Sequence, residues 1–312
     1  MAETTGVLLM AYGTPASLAD VEAYYTHIRR GRPPTPELLL ELVDRYRAIG
    51  GSSPLLAIAR AQARGLEQLL NRGADRAFRV ELGMKHAQPF IEEGVGSLAD
   101  AGIGRAVGLV LAPHYSALSV GEYIERVRAA AAGRGGPEFR FVEQWHLAPG
   151  YVALLADRVR RALESFPADE RHGVHVLFSA HSLPLRIIAS GDPYPVQLEE
   201  TAAAVAELAA VDNWSVAWQS AGRTPEPWLG PDVRDVMREL AAAGGTGVVI
   251  CPAGFVSDHL EVLYDLDVEC RRVGDELGLP FARTALPNAA PEFLAVLAQV
   301  VRASLETVVA AG

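Results

Sequence analysis

The stretch Gly247-Val248-Val249-Ile250-Cys251-Pro252, followed shortly by Ser257-Asp258-His259-Leu260-Glu261-Val262-Leu263-Tyr264-Asp265-Leu266-Asp267-Val268-Glu269, decides how this chain is read. The first part is a short apolar run rich in β-branched residues, the pattern of a buried strand. The second part repeats carboxylates at Glu261, Asp265 and Glu269, spaced i, i+4 and i+8, which on a helix puts them on one face. A strand that hands over to a helix is the repeating unit of α/β folds, and open sheets of that kind hold ligands beyond the carboxyl ends of their strands. Stacked like charges repel, so a purely structural helix gains nothing from such a row. The row reads either as a solvated acidic stripe or as oxygen ligands for a divalent cation, with a carboxylate base at its head. Apolar neighbours on both sides favour a mostly buried helix, where a carboxylate needs a partner or a cation and its pKa is expected to rise. His259 lies two residues before Glu261, a spacing that does not share a helical face, so it reads either as direct chemistry or as a residue that orients a loop.

Outward from this stretch the same alternation recurs. Strand candidates fall at 7–12, 78–83, 106–112 and 139–143, then at 175–180, 215–219, 247–252 and 281–285. Amphipathic stretches such as 56–70, 151–165, 195–211 and 231–243 lie between them. Four strands twice, alternating with helices, predict an α/β chain of two similar domains, each a four-stranded parallel sheet flanked by helices. The break is expected at the Pro/Gly turn 148–150, giving domains 1–148 and 149–312, with the last helix, 291–309, packing back on the first. No G-x-G-x-x-G follows a strand and no G-x-x-x-x-G-K-[ST] occurs, which disfavours nucleotide binding.

Composition bounds the function. With 312 residues, half of them apolar and 21% charged, the chain buries a sizeable core. A net charge of −10, from 28 basic and 38 acidic side chains, argues against nucleic-acid or anionic-membrane partners. Two cysteines, Cys251 and Cys270, suit a reducing compartment and are too few for a four-thiolate iron–sulfur cluster. The N-terminus has no basic leader and no apolar run reaches membrane-spanning length, so a cytoplasmic location is expected.

Two further constellations carry chemistry. In Phe178-Ser179-Ala180-His181-Ser182-Leu183-Pro184, His181 stands at a strand's carboxyl end, either as a cleft-facing imidazole for a cation or proton or as a hydrogen-bonded cap. In Met10-Ala11-Tyr12-Gly13-Thr14-Pro15, Tyr12 closes the first strand, either as a platform for a flat ligand or as an ordinary edge aromatic. Arg29, Arg30, Arg32, Arg45 and Arg47 gather just beyond it in an otherwise acidic protein, as a solvated basic face or as forks for carboxylates. Arginines and an aromatic surface in one half, with imidazole and a carboxylate row in the other, fit a flat apolar ligand that has acidic edges and receives a metal ion, such as a porphyrin.

These residues resemble a known family. Residues 178–184 resemble the ferrochelatase signature, and 255–265 (Phe-Val-Ser-Asp-His-Leu-Glu-Val-Leu-Tyr-Asp) its second metal-site motif. Trp218-Gln219-Ser220 and Pro227-Trp228-Leu229-Gly230-Pro231 are similar to the family's W-Q-S…P-W-L-G-P stretch. Residues 11–15, 24–30 and 44–55 resemble the bacterial coproporphyrin III ferrochelatases in particular. The resemblance implies two Rossmann-like domains with an active-site cleft between them, and insertion of Fe²⁺ into coproporphyrin III to give coproheme with release of two protons, in haem biosynthesis. It implies His181 and Glu261 as the inner metal and proton-transfer pair, with Asp265 and Glu269 continuing the metal row toward solvent. It implies porphyrin contacts from Tyr12, Arg29, Arg45, Tyr46, Ser53 and Tyr123. It further implies Fe²⁺ as substrate, with no prosthetic group and no iron–sulfur cluster, a monomer, and a downstream coproheme-processing enzyme as partner. The alternatives are a protoporphyrin IX ferrochelatase and a non-catalytic haem or porphyrin carrier.

Overall fold

The computed structural model describes residues 4–306. The chain forms two compact units, the first from the N-terminus to Pro113, Ala117–Trp145 and Asn288 onward, the second from His114–Ser116 and His146–Pro287. In the first unit the elements run β1 (Thr5–Ala11), α1 (Val21–Ile28), α2 (Pro36–Ala48), α3 (Leu55–Asn71), β2 (Phe78–Met84), α4 (Ile91–Asp100), β3 (Arg105–Val110), α5 (Glu122–Arg134) and β4 (Glu138–Val142). Its sheet is parallel, in the order β2-β1-β3-β4. Every residue of β1 is buried, as expected of a central strand covered on both faces. The turn that ends it needs Gly13, whose φ is +101° and whose missing Cβ would come within 2.9 Å of the Ala87 backbone nitrogen.

The second unit repeats the plan with α6 (Pro149–Leu163), β5 (His175–His181), α7 (Arg186–Ala189), α8 (Tyr194–Ala209), β6 (Trp214–Gln219), α9 (Val233–Ala242), β7 (Val248–Cys251), a π-helix (Val262–Cys270), α10 (Arg271–Leu277) and β8 (Phe281–Arg283). Its parallel sheet has the corresponding order β6-β5-β7-β8. Leu177, Val248 and Ile250 from the central strands pack with Val236 and Met237 of α9. The last helix, α11 (Pro291–Glu306), belongs to the first unit, where Phe293 meets Trp145 with ring centroids 6.0 Å apart. The Gln62 side-chain amide of α3 donates to the Asn288 carbonyl at 2.8 Å just before it. The expected end of this helix, beyond 306, lies outside the described residues.

All eight expected strands are present, with no end shifted by more than two residues. The helix expected over the acidic stretch is present in a wider form. The acidic stretch is not an α-helix: Arg271 N–H donates to the Leu266 carbonyl, the i→i−5 bond of a π-helix. Val262, Leu266 and Cys270 are buried at i, i+4 and i+8, one position after each acidic residue. The wider turn lets one element drive that apolar stripe into the core while the adjoining carboxylates follow the same spacing. Among the described residues no helix is long and apolar enough to cross a membrane.

Candidate active site

In the second unit the strand order reverses direction between β5 and β7, the point where open parallel sheets leave a crevice at their carboxyl ends. His181 is the last residue of β5. The loop after β7 crosses close to it because Gly254 has no side chain; a Cβ there would lie 2.5 Å from the Ala180 Cβ. The Gly254 N–H donates to the Ser179 carbonyl at 3.0 Å, so the loop continues the β7 side of β5 past the end of that strand and delivers His259 and Glu261 beside His181.

The geometry around Glu261 is two-sided. His181 Nε2 lies 3.5 Å from Oε1, and His259 Nε2 lies 3.5 Å from Oε2. The other nitrogen of each ring faces a backbone carbonyl, Ser182 for His181 and Ser257, at 2.9 Å, for His259. A carbonyl only accepts, so each Nδ1 carries a proton and each Nε2 is turned to the carboxylate. Tyr194 donates its hydroxyl to the His181 carbonyl at 3.0 Å, and Gln219 Nε2 to the Glu261 carbonyl at 3.4 Å. Both catalytic candidates are therefore held by backbone as well as side chain.

Burial pulls the His181 pKa down, but the Glu261 carboxylate, the Ser182 carbonyl and Asp265 outweigh it and leave the pKa raised to about 8. For Glu261, burial pushes up, and the two imidazoles outweigh it and hold the carboxyl well below the usual range. The expected rise of the Glu261 pKa is thus wrong. The expectation weighed desolvation alone, and the loop brings a second imidazole to the far oxygen. At neutral pH the pair stands as imidazolium and carboxylate.

The rest of the row is engaged. Asp265 accepts from the Ser220 hydroxyl. Glu269 Oε2 accepts from Arg234 Nη1 at 3.0 Å, and Arg234 also forks onto Asp232 at 2.8 and 3.0 Å. The side chain of Glu261 is 35% exposed, that of Glu269 18%, and Asp265 is buried. Asp265 is the least exposed of the three, with Glu261 and Glu269 more open on either side of it. Ser220, Arg234 and the approach of His259 escaped the sequence reading, because loop geometry carries them rather than periodicity.

In the first unit, Tyr12 presents an exposed ring directly after β1, tilted at 57° against His86 with 4.6 Å between centroids. The turn beneath it is pinned from two helices: Tyr24 donates to the Gly13 carbonyl at 3.0 Å, and the Tyr46 hydroxyl lies 3.3 Å from Thr14 Oγ1. Tyr123 is buried, with the Lys85 ammonium 5.2 Å over its ring, and burial drives its pKa well above the ordinary value. Lys85 is ion-paired to Glu122. Tyr12, Tyr46 and Tyr123 are thus linked at one sheet end. Arg29, at the end of α1, donates from Nε to the Arg32 carbonyl at 3.2 Å, and Arg45 pairs with Glu41 at 3.2 Å. The Ser53 hydroxyl accepts from the Leu55 N–H at 3.3 Å.

An open cavity of about 1120 Å³ lies in the same unit, walled by α1, α5 and the Lys85-His86 turn. Among the described residues its wall includes none of the six expected porphyrin contacts; Tyr12 and Tyr123 adjoin it through His86 and Lys85. Lys85 and His86 were missed. They follow β2 as His181 ends β5, and the same positional rule would have found them.

A parallel α/β fold with an imidazole–carboxylate pair at the switch point defines an α/β protein with a candidate acid–base site where such sheets hold ligands. The chain is more specific than that. The ferrochelatase family model matches residues 4–305, and the chain belongs to the ferrochelatase family. It is 51% identical over 301 residues to the coproporphyrin III ferrochelatase of Geobacillus kaustophilus, covering 96% of this chain and 95% of that protein. It is 50% identical over 298 residues to the coproporphyrin III ferrochelatase of Bacillus subtilis, covering 95% and 96%. Among solved structures, the cobalt complex of the sirohydrochlorin chelatase SirB from Bacillus subtilis subspecies spizizenii superposes with a TM-score of 0.60 at 11% identity, over 97% of this chain and 96% of that one, a likeness of fold.

Proposed function

We propose that this chain is an enzyme that inserts Fe²⁺ into coproporphyrin III, giving Fe-coproporphyrin III and releasing the two pyrrole protons. The observation that carries the reading is the His181–Glu261 pair at 3.5 Å, standing at the carboxyl ends of β5 and β7 inside a chain about half identical, end to end, to relatives of that name. Insertion leaves the iron's oxidation state unchanged: two N–H bonds break, four nitrogens ligate the ion, and two protons go to acceptors.

His181 and Glu261 suit both tasks. As imidazolium and carboxylate the pair holds one proton. Approach of a divalent ion makes that proton costly to keep, and its loss frees Nε2 as a nitrogen ligand beside the carboxylate oxygens. Glu261 is ionised and ready to take a pyrrole proton. Asp265 and Glu269 add negative charge behind it and raise the local cation concentration. In the first unit, Tyr12 offers a ring for the macrocycle, Tyr46 and Tyr123 line the same sheet end, and Arg29, Arg45 and Ser53 hold propionates. Four propionates on the substrate, against two on protoporphyrin IX, match an arginine-rich first unit.

The test is anaerobic. Protein, Fe²⁺ and either coproporphyrin III or protoporphyrin IX are mixed and the Soret band is followed. Turnover with coproporphyrin III well above that with protoporphyrin IX is expected. Porphyrin binding without a metallated product would establish a carrier instead.

A further inference from the structure

The acidic segment contains two carboxylates outside the Glu261–Asp265–Glu269 row, Asp258 and Asp267, and one guanidinium meets both. Arg283, the last residue of β8, donates from Nε to Asp267 Oδ1 at 2.7 Å and from Nη2 to Asp267 Oδ2 at 2.8 Å, a two-pronged fork. The same Nη2 lies 3.5 Å from Asp258 Oδ1. Nη1 donates to the Thr284 carbonyl at 3.0 Å, and the side chain is only 14% exposed. Arg283 pairs in register with Ile250 of β7, the strand that leads into the loop bearing Asp258, His259 and Glu261.

One rigid, planar group anchored on the sheet therefore forks by hydrogen bonds onto one end of a segment and ion-pairs with the other, and His259, Glu261 and Asp265 lie between the two contacts. We infer that Arg283 is a positioning residue of the metal site: by clasping Asp258 and Asp267 it sets the loop against the π-helix and so fixes the Glu261 carboxylate between its two imidazoles. The inference rests on the reading of His181 and Glu261 as the metal-receiving pair. The need for such a clasp follows from the geometry. Glu261 must hold its two oxygens 3.5 Å from two rings carried on different segments, and a misplacement of about 1 Å at a reacting group can cost about a hundredfold in rate. Its handle, Asp267, lies two residues from Asp265 and so is free of the row itself.

Lysine keeps the charge but cannot fork onto Asp267 while reaching Asp258. Arg283→Lys and, as a second variant in case the first collapses, Asp267→Asn are compared with the unaltered protein for thermal midpoint, coproporphyrin III affinity by fluorescence quenching, and steady-state insertion of Fe²⁺. For both variants a KM for Fe²⁺ raised about tenfold or more is expected, with coproporphyrin III affinity within about twofold, because the porphyrin-holding residues lie in the other unit. The double variant is expected to be no worse than the poorer single one, since either change opens the same clasp. A merely structural role would lower the thermal midpoint and leave the Fe²⁺ KM unmoved; that result, or an equal loss of affinity for both substrates, overturns the proposal. His181→Ala run alongside separates the two readings: insertion at the unaltered rate there removes the metal-site assignment, whereas a dead His181→Ala with an unaltered Arg283→Lys removes the clasp alone.

Discussion

Two imidazoles stand at the carboxyl ends of strands, one in each unit, and their surroundings drive them in opposite directions. His181 ends β5, and although burial pulls its pKa down, Glu261 leaves it raised to about 8. His86 follows β2 by two residues; burial first, then the positive charge of Lys85, His27 and Arg126, lowers it to about 3. His86 Nδ1 lies 3.0 Å from His27 Nδ1, and its ring meets that of Tyr12 at a tilt of 57°. The same residue type at equivalent sheet ends is thus a charged, proton-holding group in one unit and a neutral aromatic surface in the other. The difference lies in the third side chain: a carboxylate at 3.5 Å against an ammonium and a guanidinium. Strand position nominates a residue, and its neighbours assign its chemistry.

The largest effect expected from breaking this contrast is on the charged side. His181→Ala should lower the rate of iron insertion by about 10²–10⁴-fold, the usual loss when an acid–base group is removed. Binding of coproporphyrin III should persist, because Tyr12 and the arginines are untouched. Single-turnover insertion and fluorescence titration on the same preparation check both halves, and a rate equal to that of the unaltered protein would remove His181 from the site.

Next comes the pH limb. Below its pKa of about 8 His181 is protonated and Nε2 is not available to the ion. The kcat/KM for Fe²⁺ should therefore climb with pH, by up to about tenfold per unit on the acid side, and level off above about 8. Glu261→Gln removes the carboxylate that raises the pKa, so its residual activity should level off at a lower pH. A limb that stays in place in that variant contradicts the coupling.

The contrast also marks what the sequence could and could not convey. Strands were legible because buried parallel strands are continuous apolar runs, as in β1 and β7. Residues at their carboxyl ends, Tyr12 and His181, were legible by position. The row at Glu261, Asp265 and Glu269 was legible as a spacing, but the π-helix was not, since a four-residue repeat is compatible with a turn of either width. The Glu261 pKa was misjudged because its two imidazole neighbours come from residues 80 and 2 positions away, and only the close approach at Gly254 joins the more distant one. Arg234 and Arg283, each holding a carboxylate of the acidic segment, sit in no motif; their partners are set by the sheet and by α9.

Smaller effects belong to the first unit. Arg29→Ala should weaken coproporphyrin III binding by roughly tenfold, the share of one charge-assisted hydrogen bond worth about 1.5 kcal/mol, with little change in turnover at saturation. Lost turnover at unchanged affinity would contradict a propionate contact. The measurement is a binding isotherm at fixed ionic strength, because an exposed charge pair weakens with salt.

The smallest effect tests the neutral imidazole itself. His86 titrates near 3 in the folded chain and near 6.5 in an unfolded one, so between those values the unfolded chain binds more protons. Stability from this residue is complete above about pH 6.5, is lost as pH falls through that window, and is level again below about 3. His114, buried beside His146 and likewise lowered to about 3, adds a second slope of the same sign. His181 has the opposite sign: its raised pKa stabilises the fold below 6.5, and that contribution disappears as pH rises through about 8. His86→Gln should make the acid slope of the thermal midpoint shallower without flattening it, because His114 remains, and should leave the alkaline side untouched. Thermal unfolding from pH 4 to 9 reads both sides in one series. An unaltered acid slope would mean that His86 is already protonated in the folded chain, and the two sheet ends would then carry the same charge.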